Sequence, residues 1–531
     1  MAGDTLCALL GLTTGVGSFV ALALTGLGRR VAPRFGLLDR PDGRRKAQPR
    51  PVPVAGGPAV FLAALASIAA AAVVSPDLAA SLAADLREAV ALLVACAVVV
   101  AVGMADDRYN LRPANKVAGQ LVAILILVGP GGFVAERVGV FHWSLELGNV
   151  AVPVTAFGLL VCVNAFNLID GMDGMLATVG LISLLSLGLM AALAGHALPA
   201  AAALSLAGAL VGFLWFNFPP ATVYMGDSGS MLVGLVAGAV AVPASLRAPG
   251  REAVATAAAI LVLPMTDLTA AVVRRALTGR GLTASDRSHL HHVLQRRGFT
   301  VGGVLALVAA LGAFASAGAF ASTQFQSDLY ALVAAGGVVA LLMASGLFGG
   351  AELRLVAARV RAAVRGVRNR ATPRAREVRL EGTADWGSVW KSLVASAERH
   401  QLRSLCLDVN APLLGEDYHA SWEPAAGAAE SEHWRLEFPL HSRGRVVGRL
   451  IVAGWREESV AETFLVLARM IGHAEVQVAT VAPPPPPAHA PAVATVGLPS
   501  ANHSGLPVPA PAPPGRRVRR RNRSRKISNP S

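Results

Sequence analysis

Val150-Ala-Val-Pro-Val-Thr-Ala-Phe-Gly-Leu-Leu-Val-Cys-Val163 runs without a charge into Asn164-Ala-Phe-Asn167-Leu-Ile-Asp170-Gly171-Met-Asp173-Gly174. The first segment is apolar enough to enter a bilayer, and the second carries oxygen donors at regular spacing. Asn164, Asn167 and Asp170 recur every three residues, so they share one face if the helix continues through them. Gly171 and Gly174 let the backbone turn tightly beside a ligand. Asn and Asp oxygens are hard donors suited to magnesium, which keeps waters and takes phosphate oxygens as further ligands. A plain Gly/Asp turn explains the glycines but not Asn164 and Asn167 in apolar surroundings.

The apolar character extends along most of the 531 residues. Hydrophobic residues make up 54% of the chain, charged residues 15%, and mean hydropathy is +0.53. Soluble domains carry about 25% charged residues, so the chain reads as an all-α polytopic membrane protein. A spanning helix needs roughly 20 apolar residues. About eleven segments are candidates: Thr5–Leu27, Val54–Val74, Ala89–Val102, Val117–Val128, Val150–Val163, Met175–Leu193, Leu198–Leu214, Met231–Val242, Ala253–Val273, Val301–Ala321 and Leu329–Leu347. The short ones are expected to extend into the adjoining polar motifs. The first span lacks a basic n-region and is expected to be retained as a helix. Cys7, Cys96, Cys162 and Cys406 show no paired spacing, so neither a disulfide framework nor a zinc site is expected.

Charge asymmetry orients the chain. The loop after the first span holds Arg29, Arg30, Arg34, Arg40, Arg44, Arg45, Lys46 and Arg50, which places it in the cytoplasm. Alternation then puts the N-terminus outside. It also puts every polar motif, and the long C-terminal region, inside.

Three further motifs fall on that face. Asp106-Asp107 follows the third span, with Lys116 nearby. Adjacent carboxylates repel unless a cation neutralises them, although a solvated turn would also hold such a pair. Gly226-Asp227-Ser228-Gly229-Ser230 opens the eighth span, and its backbone N–H groups favour an anion. Asp and Ser are also ordinary helix caps. Asp286-Arg287-Ser288-His289-Leu290-His291-His292 follows the ninth span, after Asp267 and Arg274. Its His and Arg groups suit phosphate contact and proton handling better than zinc. The bland alternative is an exposed basic loop.

Taken in order, these motifs resemble those of the polyprenyl-phosphate N-acetylhexosamine-1-phosphate transferases, a glycosyltransferase family 4-like membrane family. The resemblance covers about residues 1–350. Asp106-Asp107 with Lys116 and Gln120 resembles the paired-aspartate motif. Asn164, Asn167, Asp170, Gly171 and Asp173 match Asn-x-x-Asn-x-x-Asp-Gly-x-Asp-Gly, and Gly226–Ser230 matches Gly-Asp-x-Gly-Ser. His289-Leu-His291-His292 has the His-x-His-His form of the branch using UDP-N-acetylglucosamine. The loop Arg45–Gly57 is similar to that branch's first cytoplasmic loop, with Gln48 where the family has His.

The resemblance implies attack of undecaprenyl phosphate on a UDP-sugar, with release of UMP. It implies Mg2+, or Mn2+ in its place, held by Asn167 and Asp227. Catalytic roles fall to Asp106, Asp107, Lys116, Asp170, Asp173, His289, His291 and His292. Within that set, Asp106 and Asp107 act as base or orient the lipid phosphate, while Lys116 and the histidines stabilise the diphosphate. Asn164, Arg274, Asp286, Gly226 and Ser228 are the implied substrate contacts. A phospho-N-acetylmuramoyl-pentapeptide transferase-like enzyme is the nearest alternative. A transporter with an acid-lined site is the non-enzyme one, disfavoured because transporter acids lie near the midplane. A homodimer is carried as a partner expectation, and nucleic acid is not expected.

Beyond residue 350 the composition changes. Residues 351–378 read as a basic juxtamembrane stretch for the cytoplasmic leaflet. Residues 379–480 read as a small cytoplasmic α+β domain in which no catalytic constellation stands out, with a regulatory module and an inert accretion as the two readings. Asp385–Leu402 has helical spacing, Trp434–Trp455 alternates like a hairpin around Ser442–Arg445, and Val460–Val478 looks helical. Residues 481–531 are Pro-rich and then basic, a composition expected to be disordered.

Overall fold

The computed structural model describes residues 9–40, 50–141, 143–246, 254–278, 289–350, 374–382, 384–411, 416–424, 433–442 and 445–455. Isolated positions between 352 and 360 and between 472 and 476 are also described. It is 71% helical. The helices are α1 (Thr14–Val31), α2 (Gly56–Val74), α3 (Pro76–Ala84), α4 (Leu86–Tyr109), α5 (Pro113–Val128), α6 (Ala151–Ile169) and α7 (Met175–Leu193). They continue as α8 (Ala197–Asn217), α9 (Gly226–Leu246), α10 (Val254–Ile260), α11 (Val262–Thr278), α12 (Leu290–Arg296), α13 (Val301–Gln324) and α14 (Asp328–Ala344). By length and composition, seven described helices suffice to cross a membrane: α1, α2, α4, α6, α7, α8 and α13. The bent pair α10–α11 makes eight if it is one span, and α5, α9 and α14 are shorter apolar helices. The protein is thus a multi-pass, mainly helical membrane protein.

Several helices extend past their apolar runs into the motifs. Helix α6 continues through Asn164 and Asn167 to Ile169, and α9 starts at Gly226. The segment read as a single ninth span is instead broken at Leu261 by an 82° bend. Pro264, in the first turn of α11, lacks an N–H, and its ring would clash with the carbonyl four residues earlier. A continuous helix through this point is therefore disfavoured.

Helix α8 lies deepest, with 89% of its most apolar stretch buried. Apolar side chains gain little from meeting one another in lipid, so association relies on close van der Waals approach at small residues. Gly208 and Gly212 provide that approach, one turn apart. A Cβ on Gly212 would fall 2.0 Å from Ser18 O of α1, and one on Gly208 would fall 2.6 Å from Thr14 Cα. The Ser18 hydroxyl also donates to Gly208 O at 2.9 Å. Helix α9 uses Gly234 in the same way, where a Cβ would lie 2.7 Å from Val163 Cα of α6.

Two small hairpins join the bundle. Strands β1 (Leu38–Asp39) and β2 (Val52–Pro53) pair antiparallel, as do β3 (Arg137–Val140) and β4 (Trp143–Glu146). The register of the second places Val138, Trp143 and Leu145 on one face and the Arg137–Glu146 ion pair on the other.

A second core belongs to a C-terminal antiparallel sheet, in the order β5 (Arg374–Glu381), β7 (Glu416–Glu423), β6 (Ser404–Ala411), β9 (Arg445–Trp455) and β8 (His433–Ser442). Helix α15 (Trp386–Arg399) presents Trp386, Val389, Trp390 and Leu393 to this core, where they meet alternate residues such as Leu405, Leu407 and Val409. The β8–β9 hairpin pairs Ser442 with Arg445, at the turn read from the sequence. The first strand starts at Arg374, ahead of the expected boundary at 379. Cys7, residues 41–49, Asp286, most of 351–373, most of the Val460–Val478 segment and the tail lie outside the described residues.

Gly212→Leu tests the α1–α8 contact. Overpacking of this kind costs about 1–3 kcal/mol. A clear fall in melting temperature of the detergent-solubilised protein is expected, whereas Gly336→Leu, with open space around the Cβ, is expected to leave it nearly unchanged.

Candidate active site

Three helix ends converge on one ammonium group. Lys116 near the start of α5 places Nζ 3.0 Å from Asp106 Oδ2 at the end of α4, 3.1 Å from Asn167 Oδ1 on α6 and 2.7 Å from Asp227 Oδ2 on α9. The side chains of Lys116 and Asp106 are 16% and 9% exposed, while that of Asp227 is 32% exposed. Asp227 is therefore the carboxylate of the cluster most open to a ligand. Asn167 Nδ2 donates to Asp227 Oδ1 at 2.5 Å and to Ser230 Oγ at 2.8 Å. Behind it, Asn164 Nδ2 donates to Gln120 Oε1 at 2.9 Å and to Leu160 O at 2.8 Å. Asn164 thus braces the cluster from within the bundle.

The two adjacent aspartates divide their work. Asp106 Oδ1 accepts from Leu111 N at 2.7 Å, which fixes the turn leading to Lys116. Asp107 Oδ1 accepts from Asp227 N at 2.8 Å, and its Oδ2 accepts from Ser228 N at 3.3 Å and Ser228 Oγ at 3.0 Å. A carboxylate from α4 thereby caps the N-terminus of α9, where the helix dipole favours negative charge. The Gly226 and Ser228 motif had been expected to offer its amides to a substrate anion. Here the Asp227 and Ser228 amides are already taken by Asp107. Gly226 makes room for this arrangement. Its φ is +73°, and a Cβ would lie 2.6 Å from Asp107 Oδ2.

The first loop completes the cradle. Tyr224 N donates to Pro53 O at 2.9 Å, and Gly56 N and Gly57 N donate to Tyr224 O and Met225 O, each at 3.0 Å. A Cβ on Gly57 would fall 2.3 Å from Ser228 Oγ, and one on Gly103 would fall 2.3 Å from Ser228 N. The Pro51–Gly57 part of the loop motif therefore acts as a strand-like clasp on the Gly226–Ser230 turn.

Asp170 and Asp173 lie just past the end of α6. Asp173 Oδ2 accepts from Ala221 N at 2.8 Å, pinning its turn to the loop before α9. Asp170 is pushed well above the usual carboxylate range by burial, and then by the charges of Asp227 and Asp107. Tyr224, which sequence reading did not single out, is pushed up to about 12 by burial and by Asp173, Asp39 and Asp170.

The histidines stand beside this turn. The His291 ring packs against Gly171, where a Cβ would meet its Cε1 and Nε2 at 2.5 Å. His291 is 1% exposed, and among the described residues neither ring nitrogen has a hydrogen-bond partner. Burial first, then His292, His289 and Arg296, hold it well below the usual imidazole pKa. A buried polar ring without partners among the described residues is uncommon. The His289 ring is stacked at 6.3 Å from His291, and His292 lies 4.1 Å from it. Sequence reading also passed over the role of Asp267. Its carboxylate lies 3.1 Å from His289 Nδ1 and accepts from Leu290 N at 2.9 Å. An isolated acid inside an apolar run was the available signal. Arg274 is elsewhere engaged, in a buried ion pair with Glu352.

Among the described residues, no group of three or more His, Cys, Asp or Glu forms a ready cation cage. The donor set nevertheless suits a hard cation. Asp227 Oδ2 and Asn167 Oδ1 converge on a positive charge, and the Lys116 ammonium stands where a cation would be attracted.

The helical bundle carries a polar cluster at one end of a multi-pass membrane protein, and the comparisons give its class. A family model described as "Glycosyl transferase family 4" matches residues 89–245, which include the whole Lys116 cluster. The decaprenyl-phosphate N-acetylglucosaminephosphotransferase of Mycobacterium tuberculosis (strain ATCC 25618 / H37Rv) is 34% identical over 373 residues, covering 62% of this chain and 86% of the relative. The probable undecaprenyl-phosphate N-acetylglucosaminyl 1-phosphate transferase of Bacillus subtilis (strain 168) is 29% identical over 293 residues, covering 54% and 77%. The undecaprenyl-phosphate alpha-N-acetylglucosaminyl 1-phosphate transferase of Escherichia coli (strain K12) is 26% identical over 279 residues, covering 51% and 72%. The chain belongs to the family of polyprenyl-phosphate N-acetylhexosamine-1-phosphate transferases, and is a glycosyl-1-phosphate transferase.

Gly226→Ala is expected to disturb the Asp107 cap. Strain of this kind costs roughly 1–3 kcal/mol. The expected reading is a lowered melting temperature together with lost transfer, and wild-type behaviour in both would count against the cap.

Proposed function

We propose that the protein transfers N-acetylglucosamine-1-phosphate from its UDP-sugar to undecaprenyl phosphate and releases UMP, the initiating step of a cell-envelope polysaccharide. The names of the relatives support the lipid acceptor and the transferred group. The observation that carries the reading is the convergence of Asp106, Asn167 and Asp227 on Lys116, with the buried His291 ring packed against Gly171 of the Asn164–Gly174 motif. Such a site can receive two anionic phosphates together.

In this reading an oxygen of the lipid phosphate forms a bond to the sugar-linked phosphorus. The bond from that phosphorus to the bridging oxygen breaks, and UMP leaves with the electron pair. A phosphate monoester has a second pKa of about 6 and is largely ionised at neutral pH. Deprotonation is then a small part of the work, and positioning with charge neutralisation is the larger part. Asn167 and Asp227 would hold Mg2+, or Mn2+ in its place, and the bound ion would supply Lewis-acid neutralisation of diphosphate oxygens. Lys116 moves its charge between carboxylates and phosphate, and His289, His291 and His292 receive the diphosphate. Asp106 sets the Lys116 turn, Asp107 holds the α9 end, and Asp170 and Asp173 shape the nucleotide side. The site is assigned to the cytoplasmic face of the bacterial cell membrane, in an eleven-span topology with the N-terminus outside. The support is the Lys and Arg bias of the first loop. The 379–480 region is assigned a regulatory role and residues 481–531 that of a basic tail facing anionic lipid.

Purified protein in lipid nanodiscs, given undecaprenyl phosphate and a panel of UDP-sugars, is expected to release UMP best with UDP-N-acetylglucosamine and Mg2+. EDTA is expected to stop release and Mg2+ to restore it. Asp227→Ala is expected to cut the rate by at least about 100–1,000-fold while leaving membrane insertion intact. No UMP from any UDP-sugar would overturn the substrate assignment, and a fully active Asp227→Ala would overturn the role of Asp227.

A further inference from the structure

We propose that Asp267 is a positioning residue for the transfer reaction and acts through His289. The proposal rests on the reading that the histidines meet the diphosphate.

Helix α11 is apolar around Asp267, whose side chain is 0% exposed. Burying a carboxylate costs several kcal/mol unless hydrogen bonds compensate, so a carboxylate at this depth needs partners. Among the described residues it has two, both from the His segment. Its Oδ1 accepts from Leu290 N at 2.9 Å, and its Oδ2 lies 3.1 Å from His289 Nδ1. The first bond fixes where the short helix α12 begins. The second fixes the plane of the His289 ring, whose side chain is 8% exposed.

A carboxylate oxygen that accepts here pairs with the His289 tautomer that carries its hydrogen on Nδ1. Nε2 is then the nitrogen left to face a ligand, in the ring orientation that Asp267 dictates. The consequence spreads to the neighbouring ring, because His289 is stacked on His291 with an interplanar angle of 7°. His291 in turn has its ring against Gly171, next to Asp170. Asp267 thereby sets the orientation of the histidine face that looks onto the Asn164–Asp173 segment. Asn at this position keeps the size and one acceptor. It can also present an amide N–H to Nδ1, which reverses the tautomer.

The test is a double-mutant cycle on the full chain in nanodiscs, with UDP-N-acetylglucosamine and undecaprenyl phosphate as the probes. Wild-type turnover with this pair is the control for the underlying reading, and its absence would fail that reading before the cycle begins. Asp267→Asn is expected to lower kcat by about 10–100-fold with a melting temperature close to wild type. Added to His289→Ala, the same change is expected to cost no more than about twofold further, since coupled residues are non-additive. Equal losses of Asp267→Asn in the two backgrounds would overturn the proposal, because a purely structural role does not depend on the His289 ring. If Asp267→Asn is not recovered folded, Asp267→Glu, which keeps the acceptor chemistry, is taken through the same cycle with the same deciding outcomes.

Discussion

The Lys116 ammonium is the interaction on which the rest of the site depends. It lies among oxygen atoms contributed by α4, α6 and α9 at one end of the bundle. Two carboxylates and an amide so close would repel or stay unsatisfied without a positive charge between them. Lys116 resolves that conflict internally while leaving Asp227 the most exposed of the acids.

A second constraint is steric. The turn that carries Asp227 is surrounded by Gly57, Gly103 and Gly226, each at a distance where a methyl group could not fit. The close approach lets the Asp107 carboxylate reach the first amides of α9 and lets the Pro51–Gly57 clasp bond Tyr224 and Met225. Motif glycines here are packing residues for other motifs, and the segments named separately in the sequence form one interlocked unit. The division between Asp106, which shapes the Lys116 turn, and Asp107, which caps α9, follows from their neighbouring positions at the end of one helix.

Much of this was legible in the chain. Apolar runs marked the helices, and the three-residue spacing of Asn164 and Asn167 correctly implied that α6 continues into its motif. The Asp, Asn, Lys and His residues that the structure gathers at the candidate site were also legible, because polar side chains beside apolar runs stand out. Other features were not. The 82° break at Leu261 was hidden by apolar residues on both sides, although Pro264 was in plain view. The β3–β4 hairpin was hidden because four residues per strand leave too short a pattern. Asp107 as a cap could not be read, since its partners lie 120 and 121 residues away. Asp267 was visible as a letter but not as a partner, because nothing in one dimension connects it to His289.

The Arg274–Glu352 ion pair has a consequence for where this enzyme ends. Composition places the change of character at residue 350, and a membrane portion defined that way would stop two residues short of Glu352. The buried guanidinium of Arg274 would then lose the carboxylate bonded to it, on the same helix that holds Asp267. The root of the C-terminal region therefore belongs physically to the bundle. Exchange of the region beyond it, by recombination or by design, has its natural seam after Glu352.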